Sequence, residues 1–322
     1  MSFFKKYAKA IKLIAKITLS VGALYYVFSK VDLAQTLGAI SGINPFYLVI
    51  AIIVFAASQV CSAFRLNVFY KYIPVSIPQI TNIRLFWLGM FYNLFLPGGV
   101  GGDGYKVYLI NKYYRTPVKR LIGTIFADRL SGLVVILMYL CALVFFIEYD
   151  FTAVAGDFEG ANWFNEFLVL ISPFFKWFII FIPFLAIGYY LYLRVVSSHL
   201  KGGTIQVLVL SIIIQGLQML SALIILMSMG TEIAGHAEDY LFLFLLSSIM
   251  SAIPISLGGL GLREVTFMIG SKYLGLNQDH AVALSIIFYS LSLFVSLFGG
   301  YFAYNTQRIF NFEAPAKEED DK

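Results

Sequence analysis

The sequence predicts an all-α, polytopic integral membrane protein, and three observations carry that prediction. Hydrophobic residues make up 60% of the chain and charged residues 13%, with a mean hydropathy of +0.82, a balance foreign to an ordinary soluble domain. The apolar residues fall in long runs between charged loops, whereas a transmembrane barrel would alternate over short strands. Two of the runs are interrupted by the same grammar of proline, glycine cluster and charge: FYNLFLPGGVGGDGYK at 91–106 and IPISLGGLGLRE at 253–264. Non-helical backbone at membrane depth survives only where protein or a wet cavity satisfies it, so the two breaks point to a site built from interrupted helices.

Taken in order, Lys5, Lys6, Lys9, Lys12 and Lys16 precede or enter an apolar run from Ile11 to Phe28. It is long enough to span and lacks a small-residue cleavage site, so it reads as the first helix with a cytoplasmic N-terminus. Asn44-Pro45 is a cap and first-turn pair for a second helix to Tyr70. The region from Leu85 to Ile110 cannot hold two spans of about 20 residues. Lys71 and Arg84 flank it on one side and Lys112, Arg115, Lys119 and Arg120 on the other, so it reads as a re-entrant hairpin from the cytoplasm, turning over Pro97 to Gly104.

A third helix runs from Thr116-Pro117 to about Ile147 and leads to an external loop with Glu148, Asp150, Asp157, Glu159 and Glu166. Helices from about Pro173 to Leu193 and from Thr204 to Met229 follow. Half-helices from Tyr240 to Ile253 and from Val265 to Leu274 form a second hairpin, external by parity, before a last helix from Ala281 to Asn305. The prediction is therefore six full spans and two re-entrant hairpins in one transmembrane domain, 1–310. Repeat one covers about 1–148 and repeat two, of opposite orientation, about 173–310, with a disordered acidic tail at 311–322.

Glycines at a hairpin tip let backbone N–H groups converge, and the returning half-helix adds partial positive charge, which favours an anion such as phosphate. Gly98, Gly99, Gly101, Gly102, Gly258, Gly259 and Gly261 are the candidates, with Ser256 beside them; a turn and close helix packing would also use such glycines. Asp103, Lys106, Asp128, Arg129, Arg263 and Glu264 are charges expected within the hydrophobic thickness or at its edge, where charges pair or line a polar path. Asp103, Arg263 and Glu264 are expected to share one polar cavity near the midplane. Asn93, Gln215 and Gln218 are polar residues in apolar helices, and the last two share a face. Cys61 and Cys141 lie in apolar runs, and no His/Cys/carboxylate cluster has metal-ligand spacing, so neither a metal nor a cofactor is expected. No Walker loop, dinucleotide fingerprint or Ser/His/Asp grouping marks an enzyme. The net charge of +5 needs no nucleic-acid partner, because the basic residues sit at span ends.

NLFLPGGVGGD at 93–103, Asp128-Arg129 with Gly132, and PISLGGLGLRE at 254–264 together resemble the ordered motifs of the lysylphosphatidylglycerol synthase transmembrane-region family. That family includes the flippase half of bacterial proteins that make and translocate aminoacylated phosphatidylglycerol. The resemblance implies a lipid-translocating domain of a bacterial inner membrane, with Asp103, Arg129, Arg263 and Glu264 at motif positions. The expected partners are membrane lipids with a phosphate-bearing headgroup; a separate lipid synthase and a homodimer are compatible with it. Bifunctional members carry a soluble aminoacyl-transfer domain after the membrane part, and this chain ends at Lys322, so aminoacylation by that route is not expected.

Overall fold

The computed structural model describes residues 40–95, 101–147, 180–195, 202–252 and 261–304, with isolated positions between 18 and 38 and at 177 and 309. Its helices are α1 (Pro45–Tyr70), α2 (Gln79–Phe95), α3 (Gly101–Tyr114), α4 (Val118–Val144), α5 (Phe181–Val195), α6 (Thr204–Ser228), α7 (Ala237–Ala252), α8 (Leu262–Tyr273), α9 (Gln278–Leu297) and α10 (Gly299–Tyr304). No strand occurs among the described residues.

Four helices are long and apolar enough to cross a membrane: Pro45–Tyr70, Val118–Val144, Thr204–Ser228 and Gln278–Tyr304, the last being α9 continued through α10. At 25 to 27 residues each, they exceed the roughly 20 that a bilayer core requires. Local chemistry fixes where two of them start. Asn44 accepts a hydrogen bond from the Phe46 amide at 3.0 Å with Pro45 in the first turn, and Asn277 accepts one from the His280 amide at 2.9 Å. Most of the expected first helix, Ile11 to Phe28, lies outside the described residues. Of the expected fourth, the described part is the 15-residue α5. Against the six expected spans, the described residues thus hold four.

The helices pack with a definite sense. Asn44 N–H donates to Ser228 O at 2.8 Å, Ser221 Oγ to Ala51 O at 3.0 Å and Arg65 Nη1 to Ser211 Oγ at 3.0 Å, so α1 and α6 lie antiparallel along their whole length. Ser131 meets Ser211 and Tyr139 bonds Ile212 O, which places α4 in step with α6. Phe55 packs edge-on against Phe288 and Thr36 donates to Asp279, so α9 runs in the sense of α1.

These contacts constrain the short helices. Arg65, in the last turns of α1, grips Asp128 in the first half of α4, so α1 ends and α4 begins at the same end of the bundle. The segment between them, α2 and α3, must leave that end and come back to it. By the same reasoning α7 and α8 leave and rejoin the opposite end, where α6 finishes and α9 starts. With 17, 14, 16 and 12 residues, all four fall short of a full span.

Each short pair folds back on itself. Asn93 meets Gly102, Tyr92 meets Tyr105 with centroids 4.2 Å apart, and Phe86 meets Lys106, a series that only antiparallel helices produce. In the second pair Leu243 packs against Gly270. Helix α2 then lies on α9 and α10, and α7 lies on α4, so each short pair packs against a long helix distant in sequence. Glycine makes the first of these contacts: a Cβ on Gly299 would fall 2.1 Å from Trp87 O.

One boundary differs from the expectation. The turn expected over Pro97 to Gly104 is shorter, because α3 already starts at Gly101 and takes Gly101, Gly102, Asp103 and Gly104 into its first turn. Close packing is the reason: a Cβ on Gly102 would stand 1.8 Å from Gly89 O, so glycine here serves the approach of two backbones.

Candidate functional site

The first hairpin carries two buried charges that meet an exposed third from α4. Asn93 Oδ1 accepts from the Gly102 amide at 2.8 Å and so ties the end of α2 to the start of α3. Asp103 follows in that first turn, where a carboxylate is favoured by the free N–H groups. Its Oδ1 receives Lys106 Nζ at 2.7 Å, and its Oδ2 receives the Arg129 guanidinium through Nε and Nη2. The Lys106 stem runs over Gly89, and its ammonium lies 5.1 Å from the centre of the Phe86 ring. The side chains of Lys106 and Asp103 are 7% and 11% exposed, that of Arg129 46%, so Arg129 is the accessible member.

The second hairpin places Arg263 and Glu264 at the start of α8. Gly261 sits at φ +85°, a conformation glycine adopts without strain, and its amide donates to Glu264 Oε2 at 2.7 Å, half of a capping box. Ser285 of α9 donates to Oε1 at 3.0 Å, so both carboxylate oxygens of a fully buried Glu264 are satisfied. Arg263, 8% exposed, stacks over Phe288 at 5.2 Å, while its Nε and Nη2 have no hydrogen-bond partner. Because Phe288 also packs on Phe55, this guanidinium lies near the halfway point of α1.

A third cluster joins α1, α4 and α6. Arg65 holds Asp128 in a fork, Nε to Oδ1 at 2.8 Å and Nη2 to Oδ2 at 3.2 Å, and sends Nη1 to Ser211, which in turn meets Ser131. Gln215 is buried beside it near Gly132, with its Oε1 unpaired. Gln218 is half-buried on the same helix.

Neighbouring residues Asp128 and Arg129 thus serve different clusters and do not pair with each other. Among the described residues no ion pair joins Asp103 to Arg263 or Glu264: Asp103 is held by Lys106 and Arg129, and Glu264 by the Gly261 amide and Ser285. Gly98, Gly99, Ser256, Gly258 and Gly259 lie outside the described residues. Sequence reasoning misses Arg65 because it stands close before Lys71 and reads as the basic end of a helix. The usable signal is a lone arginine inside an apolar run.

Known proteins share this region. The family model of the lysylphosphatidylglycerol synthase TM region matches residues 13–300. A phosphatidylglycerol lysyltransferase of Staphylococcus haemolyticus is 25% identical over 277 residues, covering 85% of this chain and 31% of that protein. The chain thus spans under a third of that relative. A UPF0104 membrane protein of Methanocaldococcus jannaschii is 28% identical over 239 residues, 68% of this chain and 95% of the relative. No solved structure matches the chain significantly. The matched region contains all three charge clusters, and the chain belongs to the lysylphosphatidylglycerol synthase transmembrane-region family.

Proposed function

We propose that this chain moves a phospholipid or other phosphate-bearing lipid between the leaflets of a cell membrane, the inner membrane in a bacterium. The headgroup is held near the midplane by the glycine-rich tips and the buried charges. One observation carries the reading: Arg263 buries a guanidinium with two unpaired donors at the start of a half-helix, next to the glycine run 258–261. A buried cation without a partner is costly, and a phosphate oxyanion is the ligand that such donors and a helix N-terminus accept best.

The packing supports a particular architecture. The two hairpins are re-entrant and come in from opposite faces, and the halves form an inverted repeat in which α1 and α6 are equivalent, antiparallel helices at the axis. Secondary transporters built this way place substrate where the half-helices meet. Access alternates as the headgroup trades places with protein partners: Arg129 is accessible and can leave Asp103 for a phosphate, while Lys106 still neutralises the carboxylate.

The test is leaflet exchange of a fluorescent phosphatidylglycerol in vesicles containing the purified protein, read by an impermeant quencher. The wild-type protein is expected to raise exchange well above protein-free vesicles. Folded Asp103→Asn and Glu264→Gln proteins are expected to lose about tenfold, equivalent to about 1.4 kcal/mol of barrier. Background exchange by the wild type would favour an enzyme acting on polyprenyl-phosphate-linked sugars or a scaffold for a separate synthase. Wild-type rates in both variants would remove these carboxylates from the transport step.

A further inference from the structure

We infer that the lipid this site takes is net anionic, a phosphodiester headgroup without a compensating cation, and not the cationic lysyl lipid in the family's name. The inference rests on the transport reading and narrows its substrate. Every carboxylate oxygen of the three clusters already has a protein donor. Asp103 holds Lys106 and Arg129, Asp128 holds Arg65 through both oxygens, and Glu264 holds the Gly261 amide and the Ser285 hydroxyl. Four basic side chains, Arg65, Lys106, Arg129 and Arg263, face three acidic ones, Asp103, Asp128 and Glu264, which leaves one positive charge over. The tip segments 96–100 and 253–260 contain no ionisable side chain that could change this balance.

The excess charge has an address. Among the described residues, the buried ionic atoms without a hydrogen-bond partner are Nε and Nη2 of Arg263. These are the same two atoms with which Arg65 grips Asp128 in this protein, so the orphan pair has the geometry of a fork for two oxygens of one anionic group. A phosphodiester fills that fork directly. A lysyl headgroup would bring an ammonium that finds no carboxylate oxygen without a protein donor. It would have to displace a protein donor from one of these carboxylates while adding to a site that already holds one positive charge in excess, so the lysyl lipid is disfavoured.

The test compares three fluorescent lipids with the same chains in phosphatidylcholine vesicles: phosphatidylglycerol, phosphatidylethanolamine and lysylphosphatidylglycerol. A parallel arm measures retention of each lipid on the detergent-purified protein by native mass spectrometry. Expected are exchange of phosphatidylglycerol about tenfold or more faster than that of the lysyl lipid, with phosphatidylethanolamine between, and selective retention of phosphatidylglycerol. Arg263→Gln should abolish the preference in both arms, and Arg263→Lys, which keeps charge without the fork, should keep part of it. Equal or faster exchange of the lysyl lipid, or its equal retention, overturns the inference. Selective, Arg263-dependent retention without any exchange leaves the anionic site standing and removes the transport reading; no selectivity in either arm removes the anionic site.

Discussion

Asp128→Ala is expected to destabilise the protein by about 3–5 kcal/mol, the usual consequence of removing one partner of a buried ion pair. Arg65 would keep Ser211 but lose both carboxylate oxygens, in a position where its side chain is 8% exposed. Arg65→Ala should do comparable harm by stranding Asp128. The paired replacement Arg65→Met with Asp128→Leu should recover most of the loss, since it removes both charges and fills the volume. Thermal stability in detergent, followed by monodisperse elution, reads all three. A double variant as unstable as either single one would show that the fork matters for something other than charge compensation. The effect is large because the cluster ties α1, α4 and α6 together and sets the rotation of α4. Adjacent residues on a helix lie about 100° apart, so the rotation that seats Asp128 in the fork also directs Arg129 toward Asp103.

The second large effect belongs to Gly102. Replacing a helical glycine by alanine ordinarily stabilises by about 0.5–1 kcal/mol. Here the new Cβ would meet Gly89 O at 1.8 Å and Asn93 Oδ1 at 2.9 Å, and neither backbone can retreat without opening the hairpin. Gly102→Ala is therefore expected to cost about 1–3 kcal/mol, the range of overpacked sites, and to lower lipid exchange with it. Gly104, two residues on in the same helix, is a control: nothing lies within 4 Å of the position a Cβ would take there, so Gly104→Ala should leave stability unchanged or raise it. Equal losses in both variants would mean that glycine is needed in this turn for backbone freedom and not for the α2–α3 contact.

How much was legible in the sequence depended on how local the physics was. Helix bounds set by neighbouring residues were readable: Asn44-Pro45 starts a helix that the structure ends at Tyr70, and Thr204 starts one that ends at Ser228. The short helices flanking the two proline–glycine segments were readable because such residues interrupt an apolar run. The shorter first turn was not, because whether Gly101 to Gly104 bend or coil is decided by Gly89, on the preceding helix. The partners of the charges were the least legible. Asp103, Asp128 and Arg129 could be seen as costly residues, but their pairing depends on helix rotation and on Arg65, which the sequence disguises as a helix end. Two of the partners are local: Lys106 and the Gly261 amide lie three residues from the carboxylates they serve.

The central claim is that two helical hairpins come into the membrane from opposite faces and carry their charges to its middle. Single cysteines at Arg84, Lys112, Glu238 and Asn277 in an otherwise cysteine-free protein, labelled with an impermeant reagent from each side of sealed vesicles, test it most directly. Arg84 and Lys112 are expected to label from one face, the cytoplasmic one, and Glu238 and Asn277 from the other. Labelling of Arg84 and Lys112 from opposite faces would contradict the hairpin, the inverted repeat and the midplane site together.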